Sequence, residues 1–216
     1  MVIYFEQVKK DSIVEKIDNN ITRFSLGPYI SCSYFIKDRK NVLVDASYPL
    51  MKPTVDEEVD IVVLTHGHFD HSIFLEEIVK AHNPKVYATK KTSDWLEKYK
   101  DEFVPNDLKS KYTELLKRWK YPPEVHSVKV TNFVKEGDII NTGSLSFRIL
   151  ETDGHCPGEV CLHEENKGIL FSGDILLGNN IYGTPNYRGG DKKLLDESIK
   201  RLKSLKVVKL CPGHLL

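Results

Sequence analysis

Four side chains able to ligate a metal fall within His66-Gly67-His68-Phe69-Asp70-His71. In an extended segment residues two apart point the same way, so His66 and His68 can grip one ion together. Asp70 and His71 are neighbours, diverge, and can serve a second ion. Three further donors follow apolar runs: His155 in Gly154-His155-Cys156-Pro157-Gly158, Asp174 in Phe171-Ser172-Gly173-Asp174, and His214 in Cys211-Pro212-Gly213-His214. Imidazole suits zinc or iron, and carboxylates broaden the choice to manganese. Such a set implies metal-assisted chemistry, in which the ion ionises a water near neutral pH and polarises a carbonyl or phosphoryl oxygen.

Donors this scattered need a scaffold that brings strand ends together. Strands are predicted at Ile21–Ser25, Ser31–Ile36, Asn41–Asp45, Glu58–Leu64, Lys85–Ala88, Ser127–Phe133, Asp138–Ile140, Ser144–Glu151, Val160–Glu164, Gly168–Ser172 and Val207–Leu210. The run Val59 to Leu64 is apolar enough for a strand buried on both faces. Helical spacing marks Asp70–Lys80 and Asp191–Leu205. Gly178–Gly190 reads as a loop. Lys90 to Tyr121 is rich in lysine and glutamate, has helical periodicity, and carries both tryptophans, with Pro105 expected to separate two helices. Two strand-rich blocks, each followed by helices, predict two sheets packed between helical layers.

The chain has 216 residues, enough for one domain with a core that needs no disulfides. Lysine plus arginine and aspartate plus glutamate both number 31, so the net charge is zero and a basic footprint for nucleic acid is absent. No apolar run reaches the length of a membrane span. The N-terminus lacks the pattern of a signal peptide. Cys32, Cys156, Cys161 and Cys211 form no CxxC pair, and reduced thiols in a cytoplasmic protein are expected.

The whole motif series resembles the metallo-β-lactamase-fold superfamily. Asp45, closing Val42-Leu43-Val44-Asp45, is similar to its first motif. The cluster His66 to His71 matches the second, His155 the third, Asp174 the fourth and His214 the fifth. The resemblance implies an α/β fold, the αβ/βα four-layer sandwich, formed by residues 1–216 as a single domain with a helical insertion at about 90–123. It implies two divalent cations, zinc first, with iron or manganese as alternatives. His66, His68 and His155 would bind one, Asp70, His71 and His214 the other, and Asp174 would bridge them. Asp45 would stand behind the ligands and orient them. The implied reaction is attack of a metal-bridging hydroxide on an ester, thioester, lactone or phosphoester, with Asp70 as catalytic carboxylate. A mononuclear iron persulfide dioxygenase held by His66, His155 and Asp174 is the alternative, and a catalytically silent ligand-binding member a further one.

Asp174 resembles the glyoxalase II and generic hydrolase branches, and points away from zinc β-lactamases that place cysteine at this position. Two cations against Asp70, Asp174 and a hydroxide leave a net charge of about plus one, favouring a small anionic substrate. Tyr182, Tyr187 and Arg188, in the loop after Asp174, are candidate substrate-binding residues. The insertion is expected to act as a lid, a homodimer interface or plain packing. His214 lies two residues from the end of the sequence, and termini fray, so the second metal is expected to be held less tightly than the first.

Overall fold

The computed structural model describes residues 12–26, 30–48, 57–98 and 128–215. One sheet runs in the order β1 (Ile13–Lys16), β2 (Ile21–Ser25), β3 (Ser33–Ile36), β4 (Val42–Val44), β5 (Ile61–Val63), β6 (Lys85–Ala88), β7 (Asn132–Phe133). The other contains β8 (Ile139–Asn141), β9 (Ser146–Glu151), β10 (Val160–Glu164), β11 (Ile169–Gly173) and β14 (Lys209–Pro212), in the order β14-β11-β10-β9-β8. A small hairpin joins β12 (Leu176–Gly178) to β13 (Ile181–Tyr182). The helices are α1 (Phe69–Ser72), α2 (Leu75–His82), α3 (Lys90–Lys98) and α4 (Lys192–Lys203).

Side-chain alternation explains the layering. Val42, Val44, Ile61 and Val63 join Phe147, Ile149, Leu162 and Phe171 in the core between the sheets. Their neighbours Leu43 and Val62 point the other way, into a second core with Phe74, Leu75 and Ile78 of the α1–α2 region. On the second sheet Cys161 and Leu170 likewise turn outward against Leu195 and Leu202 of α4. Helix, sheet, sheet and helix therefore stack in that order, as the sequence reading expects. Tyr34 and Phe171 meet edge to face across the sandwich at 5.2 Å, and the Tyr34 hydroxyl donates to the Pro212 carbonyl at 2.8 Å.

Three elements depart from the sequence reading. The helix expected over Asp70–Lys80 is two helices, broken at Ile73–Phe74. In a continuous helix Phe74 N–H would bond to the Asp70 carbonyl. Here it donates to Ala46 O at 2.9 Å, and the Asp70 carbonyl accepts from the Ser31 hydroxyl instead. The predicted loop at Gly178–Gly190 contains β13, because Asn179 and Asn180 both take positive φ and close a tight hairpin. Strand β1 leaves no signal in the sequence, since all four of its side chains are exposed and offer no alternation. Beyond Lys98, the insertion lies outside the described residues until Val128, including the break expected at Pro105.

At the end of the sandwich opposite the donor residues, Asp38 ties the two sheets together. Its carboxylate accepts from the Thr142 hydroxyl at 2.6 Å, Ser144 N–H at 2.7 Å and Leu145 N–H at 3.1 Å. Burial opposes ionisation, but these donors and Arg39 N–H outweigh it and hold the carboxyl far below its usual range. A carboxyl with a lowered folded pKa stabilises the fold above its unfolded value and loses that contribution as pH falls through the folded one. Asp38→Ala should therefore cost about 2 kcal/mol in urea unfolding at pH 7. That cost should shrink below about pH 4, where the unfolded carboxyl begins to protonate. A penalty independent of pH would contradict this assignment.

Candidate metal centre

All the donors named above follow the carboxyl ends of strands. Strands β4 and β5 are parallel. Strands β9 and β11 are each antiparallel to β10, and β14 is parallel to β11, so β9, β11 and β14 share a direction. Asp45 follows β4, the His66–His71 cluster follows β5, His155 follows β9, Asp174 follows β11 and His214 follows β14. Backbone hydrogen bonds stitch these ends into one edge. Val160 N–H donates to Thr65 O at 2.9 Å, Cys32 N–H to Gly213 O at 2.6 Å, and Gly213 N–H to Gly173 O at 2.7 Å. Helix α4 steadies the His155 loop, with Asp191 N–H on Gly154 O and the Ser198 hydroxyl on Asp153 O, both at 2.8 Å.

Three imidazoles converge on one point. His68 Nδ1 lies 3.1 Å from His66 Nε2 and 3.1 Å from His155 Nε2. The far nitrogens assign the tautomers. His155 Nδ1–H donates to the Thr184 carbonyl at 2.8 Å. His66 Nδ1–H donates at 3.0 Å to the Thr65 hydroxyl, whose own hydrogen goes to Asp45. The Nε2 lone pairs of both rings therefore face His68. Burial, reinforced by the neighbouring imidazoles, keeps His66 well below the usual histidine range and brings His68 down to about 4. Burial lowers His155 as well. All three are neutral at pH 7, the form that ligates a metal.

The second cluster has the opposite electrostatics. His214 Nε2 sits 3.2 Å from Asp70 Oδ2 and 3.3 Å from Asp174 Oδ2. His71 Nε2 faces Asp174 Oδ1 at 3.3 Å, outside hydrogen-bond geometry, and both atoms are buried without a hydrogen-bond partner. Burial alone would lower both histidines, but the carboxylates prevail. Asp174 and Asp70 raise His214 to about 10, and Asp45 and Asp174 hold His71 well above its usual range. Asp174 Oδ2 also lies 3.5 Å from His155 Nε2, so this one carboxylate touches both clusters. A Cβ on Gly213 would fall 2.2 Å from Asp174 Oδ1, so only glycine lets the last loop approach so closely.

Asp45 supports both clusters from behind. Its carboxylate accepts from Thr65 N–H at 2.8 Å, the Thr65 hydroxyl at 2.8 Å and His71 Nδ1–H at 2.8 Å. His71 Nε2 is thereby turned into the site. Asp45 itself adopts φ 58°, a conformation that L residues other than Asn and Asp seldom accept.

The donor chemistry fits divalent cations. Neutral imidazole lone pairs converge at 3.1 Å, and a buried nitrogen and a buried carboxylate oxygen face each other unpaired. His66, His68, His155 and Asp174 form one group whose ligand atoms lie within 4.8 Å of one another, and Asp70, His71 and His214 form another. The sequence model of the metallo-beta-lactamase superfamily matches residues 26–214. The chain belongs to the metallo-beta-lactamase superfamily. Among similar proteins, the human acyl-coenzyme A thioesterase MBLAC2 is 28% identical over 208 residues, covering 92% of this chain and 67% of that protein. The hydroxyacylglutathione hydrolase GloC of Haemophilus influenzae is 26% identical over 176 residues, covering 79% of this chain and 77% of GloC. The crystal structure of TTHA1623 in a di-iron-bound form superposes with a TM-score of 0.67 at 27% identity, covering 88% of this chain and 90% of that one. Metallo-β-lactamases with 22% identity share the fold.

The candidate substrate residues separate. The Tyr187 ring stands 5.4 Å from His68 and 5.5 Å from His155, edge to face, and Trp95 of α3 lies 6.3 Å from His68. Tyr182 is turned towards α4, where the Lys203 ammonium donates to its hydroxyl at 3.2 Å and lies over its ring. Arg188 is exposed on the Tyr187 loop. Two contributors escaped the sequence reading. Thr65 relays between Asp45 and His66, and Glu159 is wholly buried beside His66. An acid just before an apolar strand reads as a strand-edge residue, and only its burial marks it out.

Replacing Asp45 by alanine strands three buried donors and leaves alanine in an unfavourable conformation. Asp45→Ala should destabilise the metal-stripped protein by about 3 kcal/mol in urea unfolding. Asp45→Asn, which tolerates the positive φ and keeps an acceptor oxygen, should cost about half as much. Equal costs would show that charge alone accounts for the role of Asp45.

Proposed function

We propose that this chain is a dinuclear metallo-hydrolase acting on acyl thioesters. The observation that carries the reading is the convergence of two donor clusters on the shared carboxylate of Asp174. Among esters, lactones, thioesters and phosphoesters, the thioester is favoured because two relatives are named for acyl-coenzyme A and hydroxyacylglutathione, both acyl thioesters. In this reading His66, His68 and His155 hold one ion, Asp70, His71 and His214 the other, and Asp174 serves both. Zinc suits these nitrogen and oxygen donors, and the di-iron-bound form of TTHA1623 makes iron the competing occupant. When bound, such ions supply Lewis acidity and a water that ionises near neutral pH.

The chain's own groups do the rest. Burial opposes ionisation of Asp70, but its bond to His214 and the His71 charge outweigh it, so the carboxyl stays ionised. It can then accept a hydrogen bond from the attacking water and aim it. Thr184 O and Asp45 keep the His155 and His71 tautomers fixed while charge develops. Tyr187 and Trp95 give the acyl part an aromatic wall beside His68, and Arg188 offers a cation to an anionic leaving group. Among the described residues no helix is long and apolar enough to cross a membrane, and the described cysteines are all free and buried. A reducing compartment such as the cytoplasm suits these thiols.

The direct test is thiol release from acyl-coenzyme A and S-acylglutathione, with metal content measured on protein purified without added metal. The expected result is two zinc per chain, loss of activity on chelation and recovery with zinc. Asp70→Asn should lower kcat about 100-fold. One iron per chain with oxygen consumption on a persulfide, and no thiol release, would replace this reading with the dioxygenase. The electrostatics give a second expectation. His71 and His214 hold protons at neutral pH that a cation must displace, whereas His66, His68 and His155 hold none. The weaker zinc should therefore tighten about tenfold or more per unit between pH 6 and 8, and the tighter zinc should change little. Identical slopes for the two steps would contradict the division into clusters.

A further inference from the structure

Glu159 has no place in the chemistry described above, yet its carboxyl group is driven into the base of the centre. It stands immediately before β10 and its side chain is wholly buried. Oε1 accepts from the backbone N–H of Asp174 at 2.8 Å. The same oxygen lies 3.8 Å from His66 Nδ1, while Nε2 of that ring meets His68. It also occupies a notch that only glycine leaves open: a Cβ on Gly173 would fall 2.7 Å from Oε1, and Gly173 takes φ 50°. The other oxygen, Oε2, is buried with no hydrogen-bond partner.

An unsatisfied buried carboxyl oxygen costs stability. An apolar side chain would fill this space without that cost. Glu159 stands where one oxygen meets, at once, the backbone of Asp174, the carboxylate shared by both clusters, and the ring of His66. The main chain at Asp174 leaves β11 through a glycine with positive φ, where the ladder to β14 changes register, so the strand itself does not set the direction of the Asp174 side chain. Two contacts hold the main chain there: Asp174 N–H on Glu159 Oε1 at 2.8 Å, and Gly213 N–H on Gly173 O at 2.7 Å.

We propose that Glu159 is a positioning residue: its Oε1 fixes the exit of β11, and thereby the orientation of Asp174 relative to His66. The inference rests on the metal-centre reading. It concerns reach and geometry, and the charge of the group is secondary. Glu159→Gln keeps the chain length and an oxygen that can accept from Asp174 N–H. Glu159→Asp keeps the carboxyl group but withdraws it by one methylene, beyond reach of that donor.

The test is zinc affinity, measured by competition with a chromogenic chelator on the metal-stripped full-length chain. Thermal unfolding of the same metal-free samples serves as a control on folding. Wild type should bind zinc tightly, and Glu159→Gln should stay within about threefold of it. Glu159→Asp should lose about 10- to 100-fold, the usual effect of removing a group that orients metal ligands. Metal-free Glu159→Gln should unfold within a few degrees of wild type, since the bond to Asp174 N–H is kept and one unpaired buried group, the amide nitrogen, replaces another. Wild-type affinity in Glu159→Asp would overturn the proposal, and so would an equal loss in both variants, which would make charge the operative property. Absence of zinc binding in wild type would overturn the metal-centre reading itself, a result distinguishable from either of these.

Discussion

A carboxylate buried at the end of a strand must find donors, and Asp45 takes its donors from Thr65 and His71, which bracket the ligand loop. Losing hydration costs such a group several kcal/mol, which its hydrogen bonds must offset. Those bonds dictate the local path of the chain. Asp45 N–H reaches Val63 O and Ala46 N–H reaches His71 O, so the ends of β4 and β5 and the start of α1 are locked together. Helix α1 breaks where Phe74 N–H joins the same network through Ala46. The histidine tautomers follow: His71 shows Nε2 to the site because Nδ1 is held by Asp45, and His66 does so because Nδ1 meets the Thr65 hydroxyl.

From this anchor the site divides by charge. Around His68 the imidazoles crowd one another away from water and stay neutral. Around Asp174 the histidines face two carboxylates and keep their protons in the metal-free protein. Protons thus do in the second cluster what a cation would do in the loaded one, neutralising Asp70 and Asp174. A cation entering that cluster would compete with these protons, which a cation at His66, His68 and His155 would not. The terminal segment is not loose where it matters, because Cys32 N–H and Gly173 O hold Gly213 from both sides.

Much of this was legible in the residues. Strands β6 and β10 fall where the sequence sets them, because apolar runs bounded by turn signals leave little choice. The four layers follow from strands that are apolar on both faces, and the donors collect at one edge because each follows such a strand. The misses have physical causes. The break between α1 and α2 depends on Ala46 and Ser31, distant in sequence, capturing the groups that would have continued the helix. The β12–β13 hairpin depends on two asparagines with left-handed backbone in a stretch that composition marks only as loop. Glu159 gives no signal in the sequence, because its burial is a tertiary fact. Tyr182 and Tyr187 look equivalent in sequence, but the hairpin turns one towards Lys203 and leaves the other beside His68.

The central claim is that Asp174 is shared by two cation clusters built on strand ends. Zinc titration of the metal-stripped chain, followed by native mass spectrometry, tests it most directly, because it counts bound ions without reference to substrate. The account predicts two ions on wild type, bound in two steps of different affinity, with both steps weakened in Asp174→Ala. A wild-type chain saturating at one ion, or an Asp174→Ala variant that binds two as tightly as wild type, would contradict it.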